Sequence, residues 1–257
     1  MRVTILGCGS STGVPNIGCD CAVCLSSNPR NKRTRASIFI ETVQANFLID
    51  SSPDLREQVL RHNIRKVDAV LYTHDHADHA NGIDDLRSFN YLSNQALPVY
   101  GDAHTMNSLT SRFPYIFKEK MGQAWYKPLL INNILADISI QDINISGVSI
   151  KVFEQIHGKI TSLGYRFGKF AYSTDTNFLP EEAFEALAGV ETWIVDCLHY
   201  KETYSHSHLE QTLRWIARVK PKLAILTHMN HHLDYDTLCA ELPAGIVPAY
   251  DGMILDL

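Results

Sequence analysis

The densest chemistry in the chain lies in six consecutive residues, His74, Asp75, His76, Ala77, Asp78 and His79. Three imidazoles and two carboxylates packed this closely make the donor set of a dinuclear cation site, and these donor types suit zinc, manganese or iron. His74 and His76 alternate and can grip one cation, while Asp78 and His79 lie further along the turn and can reach a second. The run directly follows AVLYT at 69 to 73, whose β-branched and aromatic residues read as a strand. The donors therefore stand on a loop at a strand's C-terminal end, held in register by a rigid element.

One loop cannot fill two coordination shells, so further donors are expected at other strand ends. His157 follows VSIKVFEQI, Asp175 follows FAYST and His228 follows LAILT. Asp175 can bridge two cations through its two oxygens, with His157 completing the first site and His228 the second. Cations held about 3.5–4 Å apart would share a bridging hydroxide. The expectation is a hydrolase that uses two divalent ions, zinc or manganese, with Asp78 both binding metal and orienting the nucleophile.

Cys19, Cys21 and Cys24 form a C-x-C-x-x-C cluster, one ligand short of a tetrahedral structural zinc site. His231, His232 and Cys239 are candidates for the fourth position. Cys8, Cys197 and Cys239 lie in or near apolar runs and read as buried small hydrophobes.

His206 and His208, in YSHSHLEQTL, exceed the metal count. A spare histidine at a hydrolytic site suits proton transfer or stabilisation of phosphoryl oxygens. His199, after TWIVDCL, reads as a satisfied strand-end residue. Asp50, closing ANFLID, reads either as a carboxylate that orients a ligand histidine or as a turn residue. Arg30, Lys32, Arg33 and Arg35 form a basic run that could attract a phosphate, although a solvated loop face is the simpler reading. GCGSSTGVP lacks the lysine of a P-loop and the spacing of a dinucleotide fingerprint, and reads as a tight turn beneath the site.

The elements that must position these groups are short strands: 3 to 6, 37 to 42, 45 to 50, 69 to 73, 148 to 156, 162 to 174, 192 to 198 and 223 to 228. Leu55, Val59 and Leu60 fall at helical spacing after Pro53, and further helices are expected at 181 to 188 and 208 to 219. No repeat or Pro/Gly/Ser linker divides the chain, which predicts a single domain over 1–257. Thr110 to Leu130, with Phe113, Tyr115, Phe117, Trp125 and Tyr126, fits this alternation least well. It reads as a substrate-covering or dimer-contacting insertion, which would make a homodimer, or as an aromatic loop packed on the core.

The chain has 257 residues, 45% of them hydrophobic and 20% charged, the composition of a packed globular protein. A formal net charge of −5 disfavours a grip on long nucleic acids, which calls for a basic surface, and leaves a small phosphorylated substrate as the better partner. With no signal-peptide h-region and no apolar run of membrane-spanning length, the expectation is a cytoplasmic protein with no membrane partner, whose cysteines are thiols or metal ligands.

THDHADH at 73 to 79, His157, STDT at 173 to 176 and LTH at 226 to 228 resemble, in order and spacing, the metallo-β-lactamase superfamily. The resemblance implies an α/β fold, a four-layer αββα sandwich with the site at one edge of the two sheets, and the same ligand set. His76 stands where the oxygen-reducing diiron branch carries a glutamate, which favours hydrolysis over redox chemistry. GCDCAVC together with THMNHH resembles more closely the phosphodiesterases of the carbon–phosphorus lyase pathway, which implies a Cys₃His zinc with His231 as the fourth ligand. The same resemblance implies that His206, rather than His208, contacts the phosphoryl group. The leading expectation is thus a phosphodiesterase acting on small or cyclic phosphate esters. A tRNA 3′-processing endonuclease, a thioester or lactone hydrolase of the same fold and a non-catalytic metal-binding scaffold are its competitors.

Overall fold

The computed structural model describes residues 1–117, 129–136 and 139–257. In chain order the first sheet takes β1 (Arg2–Gly7), β2 (Ser37–Glu41), β3 (Asn46–Ile49), β4 (Ala69–Leu71), β5 (Leu97–Asp102) and β6 (Leu130–Leu135). The second takes β7 (Ile140–Ile145), β8 (Val148–His157), β9 (Ile160–Phe167), β10 (Phe170–Ser173), β11 (Thr192–Asp196), β12 (Leu223–Thr227) and β13 (Ile246–Pro248). β14 (Ile254–Asp256) returns to pair antiparallel with β1. Among the described residues each sheet has seven strands, in the orders β14-β1-β2-β3-β4-β5-β6 and β13-β12-β11-β10-β9-β8-β7.

Side-chain alternation decides how the sheets stack. Ile38 and Ile40, Phe47 and Ile49, and Ala69 and Leu71 enter one apolar cluster with Phe153, Leu163, Tyr165, Tyr172, Trp193 and Ile225 of the second sheet. Their neighbours Phe39, Leu48, Val70 and Tyr72 point the other way, into a cluster with Leu55, Ile83, Leu86, Phe89, Met106 and Leu109 from the helical layer. Period-2 alternation with both faces buried places a strand between a sheet and helices. On the far side, helix Leu209–Val219 buries Thr212, Trp215 and Ile216, and helix Glu181–Leu187 buries Ala183, Ala186 and Leu187. The result is the expected αββα sandwich.

Differences from the sequence reading have local causes. The run at 162 to 174 is two antiparallel strands, β9 and β10, because Gly168 takes a positive φ of 59° and turns the chain back. The helix after Pro53 begins at Leu55, its Asp54 carboxylate being engaged by the backbone N–H of Arg35 at 2.9 Å. The strand before the histidine run leaves its ladder at Leu71. In the aromatic stretch, Phe113 follows helix Ala103–Arg112 directly and Tyr115 and Phe117 belong to a short helix, Pro114–Phe117. Trp125 and Tyr126 lie outside the described residues. Among the described residues no helix is long and apolar enough to cross a membrane.

The parallel strands β3, β4, β10, β11 and β12 all end at one edge of the sandwich. Gly82, just past the histidine run, lies against the loop that leaves β3: its N–H donates to the Ser51 carbonyl at 2.9 Å, and a Cβ there would sit 2.0 Å from the Ser52 carbonyl oxygen. Gly82→Ala must push the two loops apart and is expected to cost about 1–3 kcal/mol of stability, with a loss of bound metal. A urea denaturation curve and metal analysis of the variant check both effects.

Candidate metal centre

Three of the strand ends turn over the sheet edge in the left-handed conformation, with φ of 62° at Asp50, 49° at Asp175 and 59° at His228. Short polar residues tolerate this region better than most, yet it still costs a non-glycine residue about 1–3 kcal/mol. All three side chains are buried and all three face the same cluster of histidines, so the rest of the edge must hold them there.

The structure gathers the donors into two groups, each with its ligand atoms within 4.8 Å of one another: His74, His76, His157 and Asp175, and Asp78, His79, Asp175 and His228. Asp175 belongs to both through different oxygens. Its Oδ2 lies 3.7 Å from Nε2 of His74 and of His157, and its Oδ1 lies 3.1 Å from Nε2 of His79 and 3.4 Å from Nε2 of His228. Asp78 Oδ2 completes the second group at 3.3 Å from His79 Nε2 and 3.5 Å from His228 Nε2.

Outer partners set which ring nitrogen faces the centre. The Ser205 carbonyl, 2.6 Å from His157 Nδ1, can only accept, so Nδ1 carries the proton and Nε2 presents a lone pair inward. His79 Nδ1 meets the Asp50 carboxylate at 2.7 Å, and Asp50 also accepts from the N–H and the hydroxyl of Thr73, each at 2.8 Å. Asp50 is therefore the orienting carboxylate as well as the residue at which the chain turns out of β3. Nε2 of His74 and of His79 are buried with no hydrogen-bond partner. Unpaired buried nitrogens converging on a shared carboxylate fit divalent cations, which would engage what is otherwise costly to bury.

Electrostatics at the edge are strongly coupled. Burial opposes charge on Asp78 and Asp175, but the histidines, chiefly His79 for Asp78 and His228 for Asp175, hold both carboxyls far below their usual range. Burial with the neighbouring charge of His79 drives His74 down. Burial likewise opposes protonation of His206, yet the carboxylates of Asp196 and Asp175 outweigh it and raise this group to about 9.

His206 occupies the mouth of the centre with its side chain 12% exposed. Its ring stacks on His228 at 4.7 Å and 11°, its Nδ1 lies 3.4 Å from Asp196 Oδ2 and its Nε2 lies 3.8 Å from Asp175 Oδ2. His208 stands apart, forming a bridge with His199, and its side chain makes no cap on the helix it precedes. His199 is satisfied by the Lys201 N–H at 2.8 Å. Asp196 is the residue the sequence reading missed. It closes TWIVD at the end of β11 as Asp175 follows β10, and it groups with His206 and His228; a search for carboxylates at every strand end would have found it.

The sulfurs of Cys19, Cys21 and Cys24 also lie within 4.8 Å of one another. His231 is beside them rather than inside that radius: its carbonyl is 3.6 Å from Cys21 Sγ, and its ring Nδ1 is buried with no partner. His232 is exposed and packs against His199 at 4.4 Å. Cys8 and Cys197 are buried as expected, whereas Cys239 is exposed, because it falls on the outer face of helix Tyr235–Glu241. The basic run is a solvated face only in part, at the exposed Arg30 and Lys32. Arg33 is 2% exposed and donates to the carbonyls of Asn230 and Leu233 at 3.0 and 2.6 Å. Arg30 lies over Tyr235 and Tyr250, and Lys32 donates to the Cys24 carbonyl at 2.9 Å. The glycine-rich loop does run beside the centre, Gly9 pairing with Met229.

Comparison with known proteins agrees with this architecture. The family model of the β-lactamase superfamily domain matches residues 45–229. An octanoyltransferase of Porphyromonas gingivalis is 35% identical over 98% of this chain and 51% of its own length. A coenzyme PQQ synthesis protein B of Rhodopseudomonas palustris is 28% identical over 57% of this chain and 53% of its own. The chain thus spans about half the length of these curated relatives. Among solved structures, a diphosphatase from the PhnP family superposes with a TM-score of 0.91 at 37% identity, covering 100% of this chain and 97% of that one. Zinc-bound PqqB from Methylobacterium extorquens superposes at 0.81 with 19% identity over the full length of both chains, a likeness of fold.

Two outcomes are expected from this geometry. Asp50→Asn removes the charge that orients His79 and should weaken metal binding about 10–100-fold, read as the cation concentration that half-restores metal to a chelated sample. If the cysteine cluster holds a zinc, Cys21→Ala should bind one equivalent fewer by elemental analysis and melt at a lower temperature.

Proposed function

This chain belongs to the β-lactamase superfamily, and on that footing we propose that it is a metal-dependent phosphoric diester hydrolase acting on small or cyclic phosphate esters. The observation that carries the reading is His206, a histidine outside both donor groups, whose ring is placed at the mouth of the centre, stacked on His228 and beside Asp196. A ring N–H donor at the mouth of a cation site suits the oxygens of a phosphoryl group. The 37% identical PhnP-family structure, itself a diphosphatase, supports phosphoryl chemistry. The octanoyltransferase likeness concerns about half of that protein's length, so acyl transfer is not carried over.

His74, His76, His157 and Asp175 would hold one divalent cation, zinc or manganese, and Asp78, His79, Asp175 and His228 the other. Cations bound there would supply Lewis acidity and a nucleophile from water at neutral pH. The protein's own groups do the rest. Asp78, 8% exposed, is the carboxylate in reach of both solvent and the centre, and it orients the attacking water. Asp196 holds the Nδ1 side of His206, leaving Nε2–H to stabilise the phosphoryl oxygens or to protonate the leaving alkoxide. The buried triangle of Asp50, Thr73 and His79 keeps the histidine loop from shifting as charge moves. Cys19, Cys21, Cys24 and His231 would hold a structural zinc that ties the N-terminal loop to the segment following His228.

His206→Ala should lower turnover of a bis-aryl phosphate by about 100-fold or more while metal content and melting temperature stay at wild-type values. Loss of metal in that variant would make His206 a ligand and end its assigned role. A panel of cyclic nucleotides, ribosyl cyclic phosphates, diphosphates, pre-tRNA and thioesters tests the substrate class, and activity confined to thioesters or lactones would overturn the phosphodiester reading.

A further inference from the structure

One carboxylate of the run from His74 to His79 joins neither donor group. Asp75, its side chain 17% exposed, turns instead toward helix Ala103–Arg112. That helix leaves β5 with Asp102 as its cap, whose carboxylate accepts from the Thr105 N–H at 2.7 Å, and it buries Thr105, Met106 and Leu109. His104, Ser108 and Arg112 follow one another at the four-residue spacing that aligns side chains on one side of a helix, and all three reach the histidine loop. The Ser108 hydroxyl donates to Asp75 Oδ2. His104 Nε2 lies 3.8 Å from Asp75 Oδ1, but its ring is largely exposed and adds little. Arg112 divides its two arms, Nη1 donating to the Asp75 carbonyl at 2.6 Å and Nη2 to Asn81 Oδ1 at 2.5 Å, while its guanidinium lies over the Phe113 ring. Asn81 closes the short helix Ala77–Ala80. The loop is thus gripped on both sides of the stretch that carries His76, Asp78 and His79.

The grip matters most at His76. Three of the other rings have outer partners: the Thr73 hydroxyl lies 3.0 Å from Nδ1 of His74, Asp50 holds His79 and the Ser205 carbonyl holds His157. His76 is exposed, its Nδ1 lies 3.3 Å from His157 Nε2, and among the described residues no carboxylate, carbonyl or hydroxyl holds its ring. A ligand without such a partner is aimed by its backbone. We propose that helix Ala103–Arg112 is a clamp on the metal loop, in which Asp75, Ser108 and Arg112 are positioning residues that seat His76 through the chain beside it. The clamp governs the cation of the His74, His76, His157 and Asp175 group and leaves that of the other group, whose His79 has Asp50, largely untouched. The inference rests on the metal-dependent reading above and adds to it residues that touch neither cation nor substrate.

Zinc affinity, measured against a competing chelator in two backgrounds, tests the selectivity. His228→Ala disables the second group and His157→Ala the first. Adding Asp75→Ala should weaken the zinc that remains in the His228→Ala background by about 10–100-fold and leave the His157→Ala background unchanged. Asp75→Asn, which still offers Ser108 an acceptor, should recover most of the loss, and Ser108→Ala should reproduce it. Weakening in both backgrounds alike, or in neither, overturns the clamp and makes Asp75 a residue of general stability or of none. Hydrogen exchange on the cation-free protein gives a second measurement, independent of zinc. The N–H groups of His79, Ala80 and Asn81, which donate to carbonyls of His76 and Ala77, should exchange faster in Asp75→Ala and Arg112→Ala, and unchanged exchange in both also overturns the clamp. Hydrolysis separates this inference from the one beneath it. If the zinc-loaded protein cleaves no phosphodiester yet the selective loss is seen, the clamp stands and the phosphodiesterase assignment falls; if it cleaves them and the selectivity is absent, the clamp alone falls.

Discussion

Asp175 is the constraint around which the edge is built. A single buried carboxylate has two oxygens, and here each faces a different pair of histidine nitrogens, Oδ2 toward His74 and His157 and Oδ1 toward His79 and His228. An unpaired carboxylate at 1% exposure would be costly to bury, so the histidines and the carboxylate need one another whether or not a cation lies between them. The left-handed turn at Asp175 is the local cost of aiming it inward. The parallel pairing of β10 with β11 and of β11 with β12 supplies the rigidity that offsets it.

A second layer of contacts makes the first one specific. Asp50 ties the end of β3 to Thr73 and His79, Ser205 holds His157 and Asp196 holds His206. The contacts to His79, His157 and His206 each fix a ring. The arrangement explains how groups with such different protonation tendencies, His74 driven down and His206 driven up, coexist at one edge: burial dominates for His74, and flanking carboxylates dominate for His206.

Much of this was legible in the sequence because apolar alternation broke off abruptly at a histidine or aspartate. Such breaks located His74, His157, Asp175 and His228 at strand ends before any contact was known. Asp196 was hidden because it sits inside an apolar run, TWIVDCL, with no second polar residue to mark the boundary. β6 and β7 were illegible for another reason: LINNIL and IQDINI leave most positions partly exposed and lack a clear period-2 apolar face. The basic run was legible only in part because charge patterning shows only that its members are close in sequence. The partners of Arg30 and Arg33, Tyr235, Asn230 and Leu233, lie about two hundred residues away and meet them only in the folded chain.

The donors come from four separated strand ends, from β4 before residue 74 to β12 before residue 228, and the carboxylate that orients His79 comes from a fifth, β3. A centre assembled from such distant segments has no partial version, because no hairpin or single βα unit brings together more than a fraction of it. Loop-closure entropy must be overcome for both sheets before the edge exists. A cation captured there then acts as a latch on the finished topology, favouring the fully paired sandwich over every state in which one strand is out of place.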